Sequence, residues 1–469
     1  MKARSMHSIS VRSGNDLFGV PILSFLFKNR IALTSYRLLT LFLLVSALIY
    51  GFVRPSPEEN PFTTAVFWSL FWPFFMVITL PTLGNVFCMI CPLGFVGRYL
   101  QKAGPGRRIP KFLKNPYLGL ILFNILGYWF MLYTFPGIWR NPLNTAVFFS
   151  IILVISLIVF YLFRGMAFCK YLCPIGSVNS AFARVGFTWL STYREECSGC
   201  RKPDCALSCP YELNPSRFDE RNSMANCTLC MECAHACDAV RFEVRGWSSS
   251  LLNRIPRPEK WEVWSYILLV GVITFGMRFH HGLGRTQLAD YTPWHITGSF
   301  LQSYLGIPEW IDVAGLTAML MALGTVLGVV YVSTTLASRI SGMSREKVFL
   351  EIGYAFAPLM IVGSLSHVLE FFFLHYYSDA VNGISHFLGL NLRVEPLAHR
   401  GDWWLSLFKI FPLIGGLWSL YILHRRVNLL NPPSKGRFYS VSALLPFLYL
   451  FLWAFTTAAG FLFPGGHTH

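Results

Sequence analysis

Charge is what this chain has least of. Asp, Glu, Lys and Arg make up 13% of it, while 54% is apolar and 16% aromatic. Soluble domains carry roughly a quarter charged residues, so the composition excludes an ordinary soluble enzyme and points to a polytopic membrane protein. Acids are the scarcer sign, with 23 Asp and Glu against 39 Lys and Arg. No Cys-x-x-Cys-His is present, which excludes covalently attached c-type haem. Gly282-x-Gly284 stands alone, without the strand–turn–helix setting of a nucleotide loop. No small-residue cleavage site follows the first apolar stretch, which is therefore expected to anchor rather than be removed.

What is abundant is apolar length. A bilayer core takes about 20 helical residues, and nine stretches qualify: 38–54, 62–82, 116–135, 145–163, 264–281, 311–334, 349–376, 403–423 and 439–463. The first is short, and Pro73 and Pro81 interrupt the second. Proline inside a span is tolerated where neighbours satisfy the freed carbonyl.

The net charge of +16 raises the question of a nucleic-acid partner, and its distribution answers it. With the amino terminus placed inside, Lys and Arg number six in segment 1–37, six in 98–114, thirteen in 164–263, three in 335–348 and four in 424–437, so 32 of 39 fall on one side. That is the positive-inside pattern. The basic residues orient the chain in lipid, and no nucleic-acid partner is expected. The expected setting is a bacterial or archaeal inner membrane, with the amino terminus and 164–263 cytoplasmic and the carboxyl terminus outside. Phe18, Phe25, Leu26 and Phe27 lie among basic residues, in a segment expected either along the inner membrane surface or as an unstructured tail.

Twelve cysteines stand out against this background, and eight fall between Cys197 and Cys237. They read Cys197-x2-Cys200-x4-Cys205-x3-Cys209-Pro210, then Cys227-x2-Cys230-x2-Cys233-x3-Cys237. The second run has bacterial ferredoxin spacing; the first has a wider middle gap, and Asp238 replaces the proline after the second. Short loops of this kind let three thiolates converge on a cubane cluster while the fourth comes from the other run. The expected sets are Cys197, Cys200, Cys205 and Cys237 on one 4Fe–4S cluster, and Cys227, Cys230, Cys233 and Cys209 on the other. Structural zinc prefers paired knuckles a dozen or more residues apart, and disulfides need an oxidising compartment. His235, inside the second run, is expected to tune its surroundings rather than bind iron.

The first half is duplicated. Cys91-Pro92-Leu93-Gly94-Phe95-Val96 recurs as Cys173-Pro174-Ile175-Gly176-Ser177-Val178, a period of 82 residues, with Lys102 and Gly104 in register with Arg184 and Gly186. The unit is a helix hairpin ending in a cysteine motif at the inner face. Cys88 and Cys169 precede the two motifs. These four cysteines admit three readings: ligands of a third cluster, redox-active dithiols, or small buried residues beside helix-ending prolines.

Paired membrane Cys-Pro motifs followed by a double ferredoxin run resemble the NapH/NosR/CcoG-type membrane polyferredoxins, over roughly residues 38–245. The resemblance implies electron transfer in periplasmic nitrate or nitrous oxide reduction, as in anaerobic respiration, or the maturation of copper-containing oxidases. Against the resemblance, no large flavin-bearing periplasmic region of the NosR kind is expected here, and more spans are expected after residue 263 than in a minimal member.

The carboxyl-terminal half holds ionisable residues within spans, each of which calls for a partner. His367, Glu370 and His375 share one span, Arg278, His280 and His281 close the preceding outward one, and Lys409 begins another. Glu370 with Lys409 is the expected pair. His367 or Glu370 suits the proton acceptor of a quinol site. Bis-histidine haem b is the other cofactor reading, with one ligand from His280 or His281 and one from His367 or His375. Interfacial or structural polar contacts form the plain alternative.

The expected fold is an all-α polytopic membrane protein of about nine transmembrane helices with an inserted small α+β double-cluster ferredoxin-like domain. Its parts are a basic segment 1–37, a duplicated four-helix unit 38–190, the ferredoxin-like domain 191–245, a linker 246–263 and a membrane domain 264–469. The expected function is relay of electrons between the quinone pool and a partner redox protein or respiratory complex, with quinol oxidation left open. The alternative is an assembly factor that reduces a metal ion or disulfide for another metalloenzyme.

Overall fold

Side-chain caps decide where the long helices start. Asn29 accepts from the backbone N–H groups of Ile31 and Ala32 and opens the Arg30–Val53 helix. Asn60 and Asn141, each followed by proline, accept from Thr63 and Asn144 and open the helices that begin at Pro61 and Pro142. Asp312 and Ser344 open those that begin at Val313 and Arg345. Each cap satisfies a donor that the first turn leaves orphaned, and proline at the first position has no N–H to lose. The Asn-Pro starts fall in matching places of the two hairpins, a second mark of the duplication.

The computed structural model describes residues 14–201, 203–218 and 226–465, leaving aside the side chains of 75 and 76. The first 13 residues of the expected basic segment, residues 202 and 219–225 of the ferredoxin stretch, and the terminal 466–469 lie outside the described residues. Among the described residues seven helices are long and apolar enough to cross a membrane: Arg30–Val53, Pro142–Leu162, Lys260–Leu283, Val313–Ser341, Arg345–Phe387, Trp403–Leu430 and Leu444–Leu462. The chain is thus a mostly helical, multi-pass membrane protein. The other two expected spans are Gly119–Thr134, which is shorter, and Pro61–Thr64 continued by Ala65–Ile78, which winds in wider π-type turns around Pro73. Proline removes a donor and crowds the preceding turn, which accounts for the loosened winding.

Two boundaries differ from expectation. Residues 14–29 are not a tail: Pro21–Lys28 is helical, Phe18 and Phe27 pack on Phe242 at 6.2 and 5.3 Å, and Lys28 pairs with Asp238 at 2.9 Å. The first span accordingly begins at Arg30 rather than 38. The expected linker 246–263 is packed, because its apolar side chains have area to bury. Trp247 stacks on Trp418 at 4.7 Å, Leu251 is fully buried, and the fifth expected span starts at Lys260.

A two-stranded antiparallel sheet closes the cysteine-rich stretch. β1 (Thr188–Thr192) pairs with β2 (Val240–Val244), Leu190 facing Phe242. The two membrane halves are joined by buried polar contacts. Arg184 makes a two-pronged pair with Glu262, 3.0 Å on each prong, and the Tyr354 hydroxyl donates to the same carboxylate. Tyr266 donates to the Ala181 carbonyl at 2.8 Å, and Tyr133 to that of Val272 at 2.8 Å.

Candidate functional site

The Cys-Pro motifs meet. Cys91 stands at the N-terminal boundary of the Pro92–Ala103 helix, and its sulfur feels the N–H groups of Gly94 and Leu93. Cys173 lies just before the Gly176–Phe182 helix, whose cap is Ile175, and its sulfur accepts from the Gly176 N–H at 3.3 Å. Burial pushes both thiols up, and the backbone donors near sulfur offset part of that in favour of the thiolate, the form that binds metal. All four motif cysteines line one cavity of about 630 Å³. Cys88 lies within electrostatic reach of Cys91 and Cys173, and Cys169 of the other three. Asn179 donates to the Cys88 sulfur at 3.5 Å. Gly176 is needed for the approach: a Cβ there would stand 2.3 Å from the Cys169 carbonyl oxygen. Gly176→Ala should therefore push the Gly176–Phe182 helix away from the Phe168–Leu172 turn and cost at least one of the centres, measured as iron bound per chain.

In the ferredoxin stretch Cys209 acts on Cys227, Cys230 and Cys233, while Cys237 acts on Cys197 and Cys205, the latter also feeling Cys233. Leu229 and Met231 hold φ of 52 and 63°, a left-handed conformation that costs an ordinary residue about 1–2 kcal/mol and persists where surroundings demand it. The demand is visible: Leu229 N–H points at the Cys227 sulfur at 3.4 Å. Burial pushes the Cys227 and Cys233 thiols well above their ordinary range, and Cys230 up to about 11. Such thiols ionise when a metal centre supplies the compensating charge. Among the described residues no three His, Cys, Asp or Glu side chains converge as the ligands of a single ion would. A cubane asks for a different array, four spaced thiolates each on its own iron, and the donor set here fits it.

The two cysteine sites are stitched together by residues that the sequence reading did not single out. Tyr211, two positions after Cys209, is buried and hydrogen-bonds with Cys169. Arg37 donates to the carbonyls of Met89 and Cys230, 2.9 Å each, and Asn85 to that of Cys227 at 2.8 Å. Arg37 counted in the sequence only as a charge on the inner side, just outside the first expected span. The Cys209–Cys227–Cys230–Cys233 set therefore sits beside the membrane motifs, and the other set lies further out, with Cys200 exposed.

The expected residues of the carboxyl-terminal half also gather. His280, His281, His367, Glu370, His375 and Lys409 line one cavity of about 1570 Å³. The expected Glu370–Lys409 pair does not close. Among the described residues no ion pair joins them; the Lys409 ammonium lies over the Phe461 ring at 4.9 Å, and Glu370 feels Arg285 and Arg400 as well. His280 is engaged through Nε2 with Asp312 at 2.9 Å, which occupies the nitrogen that a haem iron would take. The His281 ring lies tilted beside it, ring centres 4.6 Å apart, and His367 lies against Phe371 at 4.1 Å. Trp68, Trp72 and Tyr128 line both this cavity and the four-cysteine one, so an aromatic wall is all that separates them there.

Comparison with known proteins bears on these sites. Residues 64–112 and 146–191 match the 4Fe-4S binding domain family. The two matches begin 82 residues apart, the period of the repeat, and each encloses one Cys-Pro motif. The uncharacterized protein MJ0750 of Methanocaldococcus jannaschii is 31% identical over 189 residues, 36% of this chain and 75% of that protein. The chain belongs to its family. These are iron–sulfur membrane proteins. The same organism's MJ0749 is 27% identical over 33% of this chain and 61% of its own length. Escherichia coli YccM, whose name assigns it provisionally to electron transport, is 25% identical over 38% of this chain and 59% of its own. Each of these matches leaves more than half of this chain outside it, and the chain spans about three-fifths of the second and third relatives. No solved structure matches it.

Proposed function

We propose that the chain is a membrane electron-transfer protein of the NapH/NosR/CcoG type, relaying electrons between the quinone pool and a partner redox protein through three 4Fe–4S centres. The observation that carries this reading is the order of the sites. The Cys197–Cys200–Cys205–Cys237 set is outermost, the Cys209–Cys227–Cys230–Cys233 set abuts the membrane motifs through Tyr211, Arg37 and Asn85, and the Cys88–Cys91–Cys169–Cys173 cavity shares an aromatic wall with the histidine-lined one. Iron–sulfur clusters, when bound, supply one-electron steps; the chain's part is to space the ligands, donate hydrogen bonds to sulfur and exclude water.

In the proposed reaction a bound quinol yields two electrons and two protons. His367 and Glu370 accept the protons, and the electrons leave one at a time toward the four-cysteine site. The exposed Cys200 and Leu207, the latter 76% exposed, offer the partner redox protein a place to dock. The likeness to YccM supports electron transport, and the positive-inside count supports a cytoplasmic ferredoxin stretch. The plain test is reduction of the clusters by added quinol in isolated membranes, followed by absorbance or electron paramagnetic resonance. Reduction within the turnover time of the membrane supports the relay. Clusters that respond to dithionite and never to quinol contradict it and favour the assembly-factor reading.

A further inference from the structure

We infer that the large histidine-lined cavity takes an aromatic ring in its anionic form. The inference rests on the quinone reading and adds the charge state of the bound ring to it. The walls are aromatic, with Trp72, Trp129, Phe371 and Trp453 among them. The ionisable lining is lopsided. Arg140, Arg278, Arg285, Arg400 and Lys409 face the cavity against only Glu370 and Asp379.

Among the described residues none of the five cations forms an ion pair. Arg278 is instead held by neutral groups, donating to Thr456 Oγ1 at 2.9 Å with its guanidinium 6.0 Å from the centre of the Tyr449 ring. Lys409 rests on Phe461. Arg140, Arg285 and Arg400 stand exposed at the rim, where water screens them, while Arg278 and Lys409 are half-buried. A cation kept at membrane depth without a carboxylate partner is costly, and a ligand that brings negative charge offsets the cost. The aromatic walls ask that the same ligand be flat and largely apolar. An ionised ring hydroxyl meets both demands; a neutral ring meets one.

The test compares two probes of nearly equal size on the purified full chain: 2-hydroxy-1,4-naphthoquinone, ionised at neutral pH, and neutral 2-methyl-1,4-naphthoquinone. Binding is read by quenching of tryptophan fluorescence. The ionised ring should bind at least tenfold more tightly. Arg278→Gln and, separately, Lys409→Met should each shrink that preference several-fold while leaving the affinity of the neutral ring in place. The second variant keeps the test alive should the first fail to fold. Equal affinities, or a preference that both variants retain, overturn the inference and leave the quinone reading standing. If neither ring binds, the quinone reading falls and takes the inference with it. Displacement of the ionised ring by equimolar sulfate would assign the cations to a small oxyanion and overturn the aromatic part.

Discussion

Replacement of Cys173 by Ala should abolish quinol-driven reduction of the ferredoxin-run centres while leaving those centres reducible by dithionite. Cys173 sits at the meeting point of the two repeats. It follows the Phe168–Leu172 turn, accepts from the Gly176 N–H at 3.3 Å and lines the cavity that also holds Cys88, Cys91 and Cys169. Removing one of four ligands from a cubane exposes an iron and drains the site, so iron should fall by about four per chain. The two ferredoxin sets share no ligand with it and should persist. Two readouts keep the causes apart: resonance signals from the remaining clusters report folding, and the quinol response reports the route. A quinol response at the wild-type rate would take the Cys-Pro site off the path.

Replacement of Arg184 by Ala should destabilise the protein by about 3–5 kcal/mol, the range for breaking one side of a buried ion pair. Arg184 and Glu262 are both buried, 3% and fully, so a carboxylate left alone would be poorly solvated. The pair also ties the duplicated unit to the carboxyl-terminal helices, so its loss should free the two halves. Arg184→Lys should recover little, because an ammonium cannot make both prongs. The double variant Arg184→Met with Glu262→Gln should recover most of the loss, because it removes both charges and still offers Tyr354 an acceptor. Thermal unfolding in detergent, followed by tryptophan fluorescence, measures all three. A single Ala variant as stable as the parent would mean that the pair contributes nothing to joining the halves.

The sequence made some of this legible and hid the rest for definite reasons. Spans are legible because the bilayer demands length and apolarity from each helix separately, and seven of the nine expected stretches are long apolar helices. Their ends were less so: the cap at Asn29 moves the first span eight residues back, and a polar cap leaves no trace in hydropathy. The cysteine spacing keeps the thiols of each run near one another because the loops between them are short. The meeting of the two Cys-Pro motifs followed from the repeat, but its attachment to the ferredoxin stretch did not. Tyr211, Arg37 and Asn85 act over 42 to 193 positions of sequence separation, and nothing local marks them. The same limit explains the linker, where two prolines signal irregular backbone and say nothing about Trp247 finding Trp418. Glu370 and Lys409 were paired on depth alone, whereas side-chain direction carried Lys409 toward Phe461.

The most direct measurement is iron and acid-labile sulfide per chain, with a haem assay, on anaerobically purified protein. Three centres require about twelve of each and no haem. About eight would leave Cys88, Cys91, Cys169 and Cys173 as thiols and break the proposed relay at the membrane. Iron near zero with bound zinc would contradict electron transfer altogether.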